Sequence, residues 1–170
     1  MTISMYQVSI PVMSRMLGNL RQILAKAEAH AQAKKIDASV FLNGRLAPDM
    51  LPLVKQVQIA SDNAKGPAAR LAGVAVPAYE DKEATFADLY ERIDRTVAFL
   101  GSFKAEQIDG SEERDIALPL RDSTMHFKGQ AYLLGFALPN FYFHVVTAYA
   151  ILRHLGVDIG KRDYIGPPPQ

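Results

Sequence analysis

Four histidines, His30, His126, His144 and His154, supply all the imidazoles of this chain, and no cysteine accompanies them. The lack of thiols excludes disulfides, iron–sulfur clusters, Cys-ligated zinc and thiol nucleophiles. His30 sits among Ala, Glu and Gln at the end of a helical stretch and reads as a solvated partner of the helix C-terminus. His126 reads as a surface residue of a short hairpin. His154 follows Arg153 near another helix end, where positive charge is welcome. His144 differs. It lies in residues 129–152, a stretch of 24 without Asp, Glu, Lys or Arg. A polar group there is costly unless it is bonded.

Asn140 lies four residues before His144, so both share one helix face. Gln58 and Asp62 form a similar pair in an earlier helix. If the two helices face each other, Gln58, Asn140 and His144 converge. One reading is a polar cluster in which amides satisfy a neutral imidazole and fix helix register. The other is a metal site, with His144 as the one strong ligand, because amide oxygens bind zinc or nickel poorly. The run Gly160-Lys-Arg-Asp-Tyr164 reads as a solvated turn or, through the Arg162 fork, as a contact for an anionic ligand. The candidate pocket is therefore Gln58, Asp62, Asn140, His144, Tyr149 and Arg162.

Several chemistries lack their motifs. There is no Gly-x-Gly-x-x-Gly, no phosphate-cradling Gly-Lys-Ser/Thr loop, no Gly-x-Ser-x-Gly and no His-Glu-x-x-His. With 19 Lys plus Arg against 18 Asp plus Glu among 170 residues, no basic excess exists to bind nucleic acid by phosphate neutralisation. The 49% hydrophobic content is enough for a core and excludes wholesale disorder. The N-terminus lacks a basic segment followed by an apolar run, so no secretory signal is expected and a cytoplasmic setting is. Residues 129–152 are long enough to cross a bilayer. Gln130, Pro139, Asn140, His144 and Thr147 would leave polar groups facing lipid, so a buried bundle helix is expected and no membrane partner.

The elements that position these residues follow from periodicity. Tyr6, Ile10, Met13, Leu17, Leu20, Leu24 and Ala27 mark a long amphipathic helix over 4–33, with Pro11 as a kink or a start. Asp37 precedes a short apolar piece, 38–42, closed by the Asn43-Gly44 turn. A second helix is expected from Pro48-Asp49, with Met50, Leu53, Val57, Ala60 and Ala64 inward. Gly66-Pro67 should interrupt it, and Gly73 should end it. The third runs over 82–103, capped by Thr85 or Asp81. Residues 115–120 and 124–127 flank Arg121-Asp122-Ser123 as a hairpin, with Pro119 confining its strand to an edge. The fourth helix is expected in two pieces broken near Pro139, stopping at Gly156. The tail from about 157 is expected to be extended. These elements predict a single all-α domain over 1–170, a four-helix bundle with a short β-hairpin before the last helix, and about 60–70% helix against a globular average of ~30–35%. Tyr132, Phe136, Tyr142 and Phe143 exceed what one bundle should bury, so a homodimer is expected.

The strings Leu138-Pro-Asn-Phe-Tyr-Phe-His144, Thr147-Ala-Tyr-Ala-Ile-Leu-Arg-His154 and Gly160-Lys-Arg-Asp-Tyr164 resemble an uncharacterised bacterial family in the DinB/YfiT-like superfamily. Ser4-Met-Tyr-Gln-Val and Pro52-Leu-Val-Lys-Gln-Val-Gln-Ile-Ala-Ser-Asp62 fit it too. The resemblance covers most of the chain. It implies a bundle, usually dimeric, in a superfamily that includes metal-dependent thiol-using transferases and isomerases. Those enzymes hold a divalent metal with three histidines, one from helix two and two spaced four apart on the last helix. By position these fall at or near Gln58, on Asn140 and on His144, so one imidazole of three is kept. The resemblance implies a small-molecule-binding or interaction protein with a degenerate metal site and no resident cofactor. The alternative it implies is a transferase- or isomerase-like enzyme using His144 with a divalent metal such as zinc or nickel.

Overall fold

The first long helix begins at Ser4, whose hydroxyl accepts from the Gln7 amide at 3.1 Å. The computed structural model describes residues 4–119 and 121–168. Met1 to Ile3, Leu120 of the expected first strand, and Pro169-Gln170 of the expected tail lie outside the described residues. Helix α1 spans Met5–Lys34 without a break. Pro11 neither kinks it visibly in the hydrogen-bond ladder nor starts it. Its missing N–H would have served Gln7, and both residues are on the exposed face, where water satisfies the freed carbonyl.

Short α2, Ala38–Leu42, is capped by the Asp37 carboxylate on the Ser39 amide. Helix α3 spans Leu53–Ala72, with Pro52 at its N-cap. The expected start at Pro48-Asp49 is corrected for a steric reason. A residue preceding proline is pushed out of the helical region, so no helix passes from Met50 through Leu51 to Pro52. The expected interruption at Gly66-Pro67 does not occur either. Ala64, Lys65, Gly66, Pro67, Ala68 and Ala69 are all buried, and that packing outweighs one lost backbone bond. Helix α4, Phe86–Gly101, starts at Thr85, whose hydroxyl and the Asp88 carboxylate form a reciprocal cap. Short α5, Ala105–Ile108, follows.

The hairpin is present. β1, Asp115–Pro119, pairs antiparallel with β2, Thr124–Lys128, in a register that places Ile116 opposite Phe127. Its Phe127 ring lies 5.7 Å from Tyr132 and 5.3 Å from Phe136, centroid to centroid. The hairpin thus covers two of the four rings expected at a dimer interface.

From Gly129 the chain runs as one helical rod to His154: α6, Gly129–Tyr132, a π turn over Leu133–Ala137, and α7, Leu138–His154. The expected break near Pro139 is therefore a bulge rather than two pieces. In a regular helix the Pro139 ring would clash with the carbonyl of Gly135, four residues back. The wider π turn relieves that clash. Gly129 is required at the rod's start, since a Cβ there would overlap the Ser111 carbonyl. The tail, expected to be extended from about 157, contains α8, Lys161–Ile165. It is fastened to α1 by Asn19, which donates to the Tyr164 and Ile165 carbonyls at 2.9 Å, and by a Lys26–Asp163 ion pair of 2.6 Å.

The four long elements α1, α3, α4 and α7 close around one core, in which Leu17, Leu20, Leu53, Leu89, Ile93, Phe141 and Leu152 are fully buried. The chain is mostly helical, at 65%, with a two-strand hairpin before the last helices. Helix α3 lies between α4 and α7 and touches both. It therefore presents different polar residues to two different neighbours.

Candidate functional site

His144 is half-buried on α7, and its Nδ1 lies 2.7 Å from Oε1 of Gln56 on α3. Gln56 is itself 2% exposed, and its Nε2 donates to the Leu51 carbonyl at 2.9 Å. That second bond fixes which way the amide points. Its oxygen must face the imidazole, so Nδ1 carries the proton and Nε2 is left as an acceptor lone pair. Burial lowers the pKa of His144 from its ordinary value, which keeps the ring neutral at pH 7.

Gln56 takes the place expected for Gln58. Successive helix positions turn by about 100°, so Gln56 and Gln58 diverge by about 200° and face opposite sides of α3. Leu53, Gln56 and Ala60, at spacings of three and four, run together along α3. Gln58 instead faces α4, where its Nε2 donates to Glu83 at 2.6 Å. Asn140 does share the α7 face with His144. Its Nδ2, however, donates to the Phe136 carbonyl at 2.7 Å, beside the π turn. The expected convergence of Gln58, Asn140 and His144 is thus replaced by a Gln56–His144 pair with Asn140 one turn away.

The remaining candidates are dispersed. Asp62 accepts from Arg92 at 3.0 Å and pairs with Lys65 at 2.8 Å, on the α4 side of α3. Tyr149 packs edge-on against Tyr164, with centroids 6.1 Å apart, where α7 meets α8. Arg162 is exposed on α8. Tyr149, Lys161, Tyr164 and Val146 border a shallow apolar groove there. Arg162 does not reach His144's partners.

A divalent metal fits these residues poorly. Gln56 and His144, the two positions nearest to a ligand pair, are hydrogen-bonded directly to each other at 2.7 Å. Asn140 spends its amide nitrogen on the Phe136 carbonyl one turn back, and its remaining amide oxygen is a poor ligand for zinc or nickel. Among the described residues, no group of three or more His, Cys, Asp or Glu side chains is placed to hold a metal ion. A site with one imidazole and no carboxylate lacks the donors that zinc or nickel selects.

A family model described as "Domain of unknown function (DUF1993)" matches residues 5–165. The chain belongs to the DUF1993 family. It is also similar to a solved structure described as that of a DinB family member protein from Shewanella denitrificans, with 41% identity and a TM-score of 0.91 over 97% of this chain and 93% of that one. No curated protein matches it. This DUF1993 chain therefore has a DinB-like helical fold, as its motifs imply.

Two features of this DUF1993 bundle escape a reading of its motifs. One is Gln56, which could have been found by assigning α3 positions to faces. The other is Arg92, whose side chain is 2% exposed and contacts Asp62, Asp81 and Glu83 at 2.8–3.1 Å. Its signal was present in the sequence: it falls between Leu89 and Ile93 on the buried stripe of α4, where a lone charge demands partners.

Proposed function

We propose that this DUF1993 chain is a small-molecule-binding bundle protein in which the metal site of the wider superfamily has become a hydrogen-bonding site. The observation that supports this reading is the Gln56–His144 bond of 2.7 Å. It commits Nδ1 as a donor and leaves Nε2 of a neutral, half-buried ring as an acceptor. The chemistry suits a ligand that offers a hydroxyl or amide N–H. Phe143 stands beside it, ring edge to ring face, with centroids 5.2 Å apart, and would supply apolar contact.

The test has two arms on protein purified without a His tag. Elemental analysis and zinc or nickel titration should show no stoichiometric ion. A fragment screen of small alcohols and carboxamides, followed on the His144 ring resonances, should yield binders that shift those resonances, and the shifts should vanish in His144→Phe. A stoichiometric metal lost on His144→Gln would overturn the reading, as would fragments that bind only elsewhere.

The same proposal includes a cytoplasmic homodimer that engages neither membrane nor nucleic acid. The rod 129–154 has the length and hydropathy of a membrane span. Its Tyr132, Leu133, Phe141, Val145, Ile151 and Leu152 are buried in the protein core, which supports a bundle role. With Tyr132 and Phe136 under the hairpin, Phe143 and Val146 are the exposed apolar residues of α7 that support self-association.

A further inference from the structure

Residues 74–85 link α3 to α4 as a strap with no helix or strand over 74–84, and none of its side chains is buried. It is held down by charge. Glu83 accepts from Arg92 Nη1 at 2.8 Å through one carboxylate oxygen and from Gln58 Nε2 at 2.6 Å through the other. Asp81 pairs with Arg92 at 3.1 Å and with Lys55 at 3.0 Å. The Tyr79 ring is flanked by Arg95, Lys65 and Arg92 at 4.1, 4.6 and 5.6 Å from its centroid.

The ion pairs across this contact run from helix cations to strap carboxylates. The helices contribute Arg92, Lys55, Lys65 and Arg95 with Asp62, Asp88 and Glu91, and the strap contributes Glu80, Asp81 and Glu83 with Lys82. Without the strap, the Arg92 guanidinium and the Gln58 amide N–H₂, from two different helices, remain as a two-point clamp, with Asp62 still paired to the guanidinium. That is the donor geometry of a carboxylate site, because one carboxylate accepts from both groups at once. Glu83 fills it with a side chain only 10% exposed.

The strap does not use all that the clamp offers. Arg92 Nε, Gln58 Oε1 and Ser61 Oγ are buried without a hydrogen-bond partner, three of the four such side-chain atoms among the described residues. Gln58 and Ser61 are one turn apart on α3, and Arg92 Nη2 reaches the Gln58 carbonyl at 3.4 Å. Buried polar atoms are normally paired; of these three, the Arg92 Nε–H and the Ser61 hydroxyl can donate to an added carboxylate, whereas Gln58 Oε1 only accepts. Arg92 also borders a cavity of about 190 Å³ whose other charged residues are Lys82 and Arg95 against Glu80, Glu83, Asp88 and Glu91.

We propose that Gln58 and Arg92 form a binding site for a small-molecule carboxylate, and that Glu83 occupies it as an internal competitor, making the 74–85 strap a lid. The site is separate from the His144 region, on the opposite side of α3, so it stands or falls independently of it.

The experiment removes the internal carboxylate. Glu83→Ala should be stabilised by sodium acetate or formate at matched ionic strength, relative to sodium chloride. A saturable rise of about 2–4 °C in Tm is expected once the anion exceeds its Kd several-fold. Acetamide should give no such rise, and neither should acetate in wild type or in Glu83→Ala/Arg92→Met. An equal response to acetate and chloride in Glu83→Ala would overturn the proposal, as would an equal acetate response in the double variant. Should Glu83→Ala fail to fold, the wild-type protein carries the test. Acetate should speed tryptic cutting after Lys82 at least about twofold over chloride, because the anion competes the strap away, with the cut population tracking the open state. Identical cleavage rates in the two salts would overturn it.

Discussion

Replacing Gln56 with Leu removes the contact that orients His144 and tests that contact directly. The side chain is 2% exposed and Leu nearly matches its volume, so a cavity contributes little. Two hydrogen bonds are lost, to His144 Nδ1 at 2.7 Å and to the Leu51 carbonyl at 2.9 Å. Each nets about 0.5–1.5 kcal/mol, and each orphaned buried partner adds a desolvation penalty of about 1–3 kcal/mol. His144 is half-exposed and Leu51 is exposed, so water recovers much of that penalty, and the expected loss is about 2 kcal/mol. For a chain of this length that lowers Tm by about 4–8 °C. The assay is a denaturation cycle of Gln56→Leu, His144→Leu and the double variant. Removing both partners leaves no orphaned imidazole, so the double variant should lose about 1 kcal/mol less than the sum of the singles. Nitrogen-edited spectra provide an independent readout. His144 should be the Nδ1–H tautomer in wild type and in Gln58→Leu, and should shift toward Nε2–H in Gln56→Leu. An additive cycle together with an Nε2–H ring in wild type would refute the assignment.

His144 has its folded pKa lowered by burial, so the unfolded chain takes up the proton first as pH falls. Its contribution to stability should be complete above about pH 6.5, decline as pH drops through that value toward the folded pKa, and then level off. Urea titrations across this range should show a flatter profile in His144→Gln; an unchanged slope would contradict the sign. Arg92→Met should cost about 3 kcal/mol, the low end for breaking a buried ion pair, because Asp62 and Asp81 are 45% exposed and resolvate; a change below about 1 kcal/mol would show that the hub is not structural. Phe141→Ala, at a fully buried ring on α7, should cost about 3–5 kcal/mol by cavity formation, read by chemical denaturation. If the dimer forms through α7, Phe143→Ser should convert a dimer mass to a monomer mass in light scattering without lowering Tm, whereas a wild-type monomer at micromolar concentration would dismiss the interface.

Much of the architecture was legible in the chain itself. The stripe of Ile10, Met13, Leu17, Leu20 and Leu24 can be buried only on one face of a helix, and Thr85 with Asp88 caps a helix through local bonds alone. The hairpin could be read from a change of period and from Pro119, and each of these signals acts over a few residues. His144 was singled out because a polar group in an uncharged helix needs a partner. Which partner it takes is not a local property. Gln56 and Gln58 are two residues apart with the same side chain. The sequence alone does not say which lies toward α7, because that depends on how α3 is rotated about its axis between α4 and α7. The same rotation sends Gln58 to Arg92 and Glu83, and it brings the strap's carboxylates over helix cations that no motif describes. Likewise Pro139 announced a disruption, but only packing along the whole 129–154 rod made it a π turn rather than a break. The chain determined its elements through local hydrogen bonds and hydrophobic period. The neighbours of each polar side chain were decided by tertiary packing, because burial selects one rotation of each helix and thereby fixes every long-range pair at once.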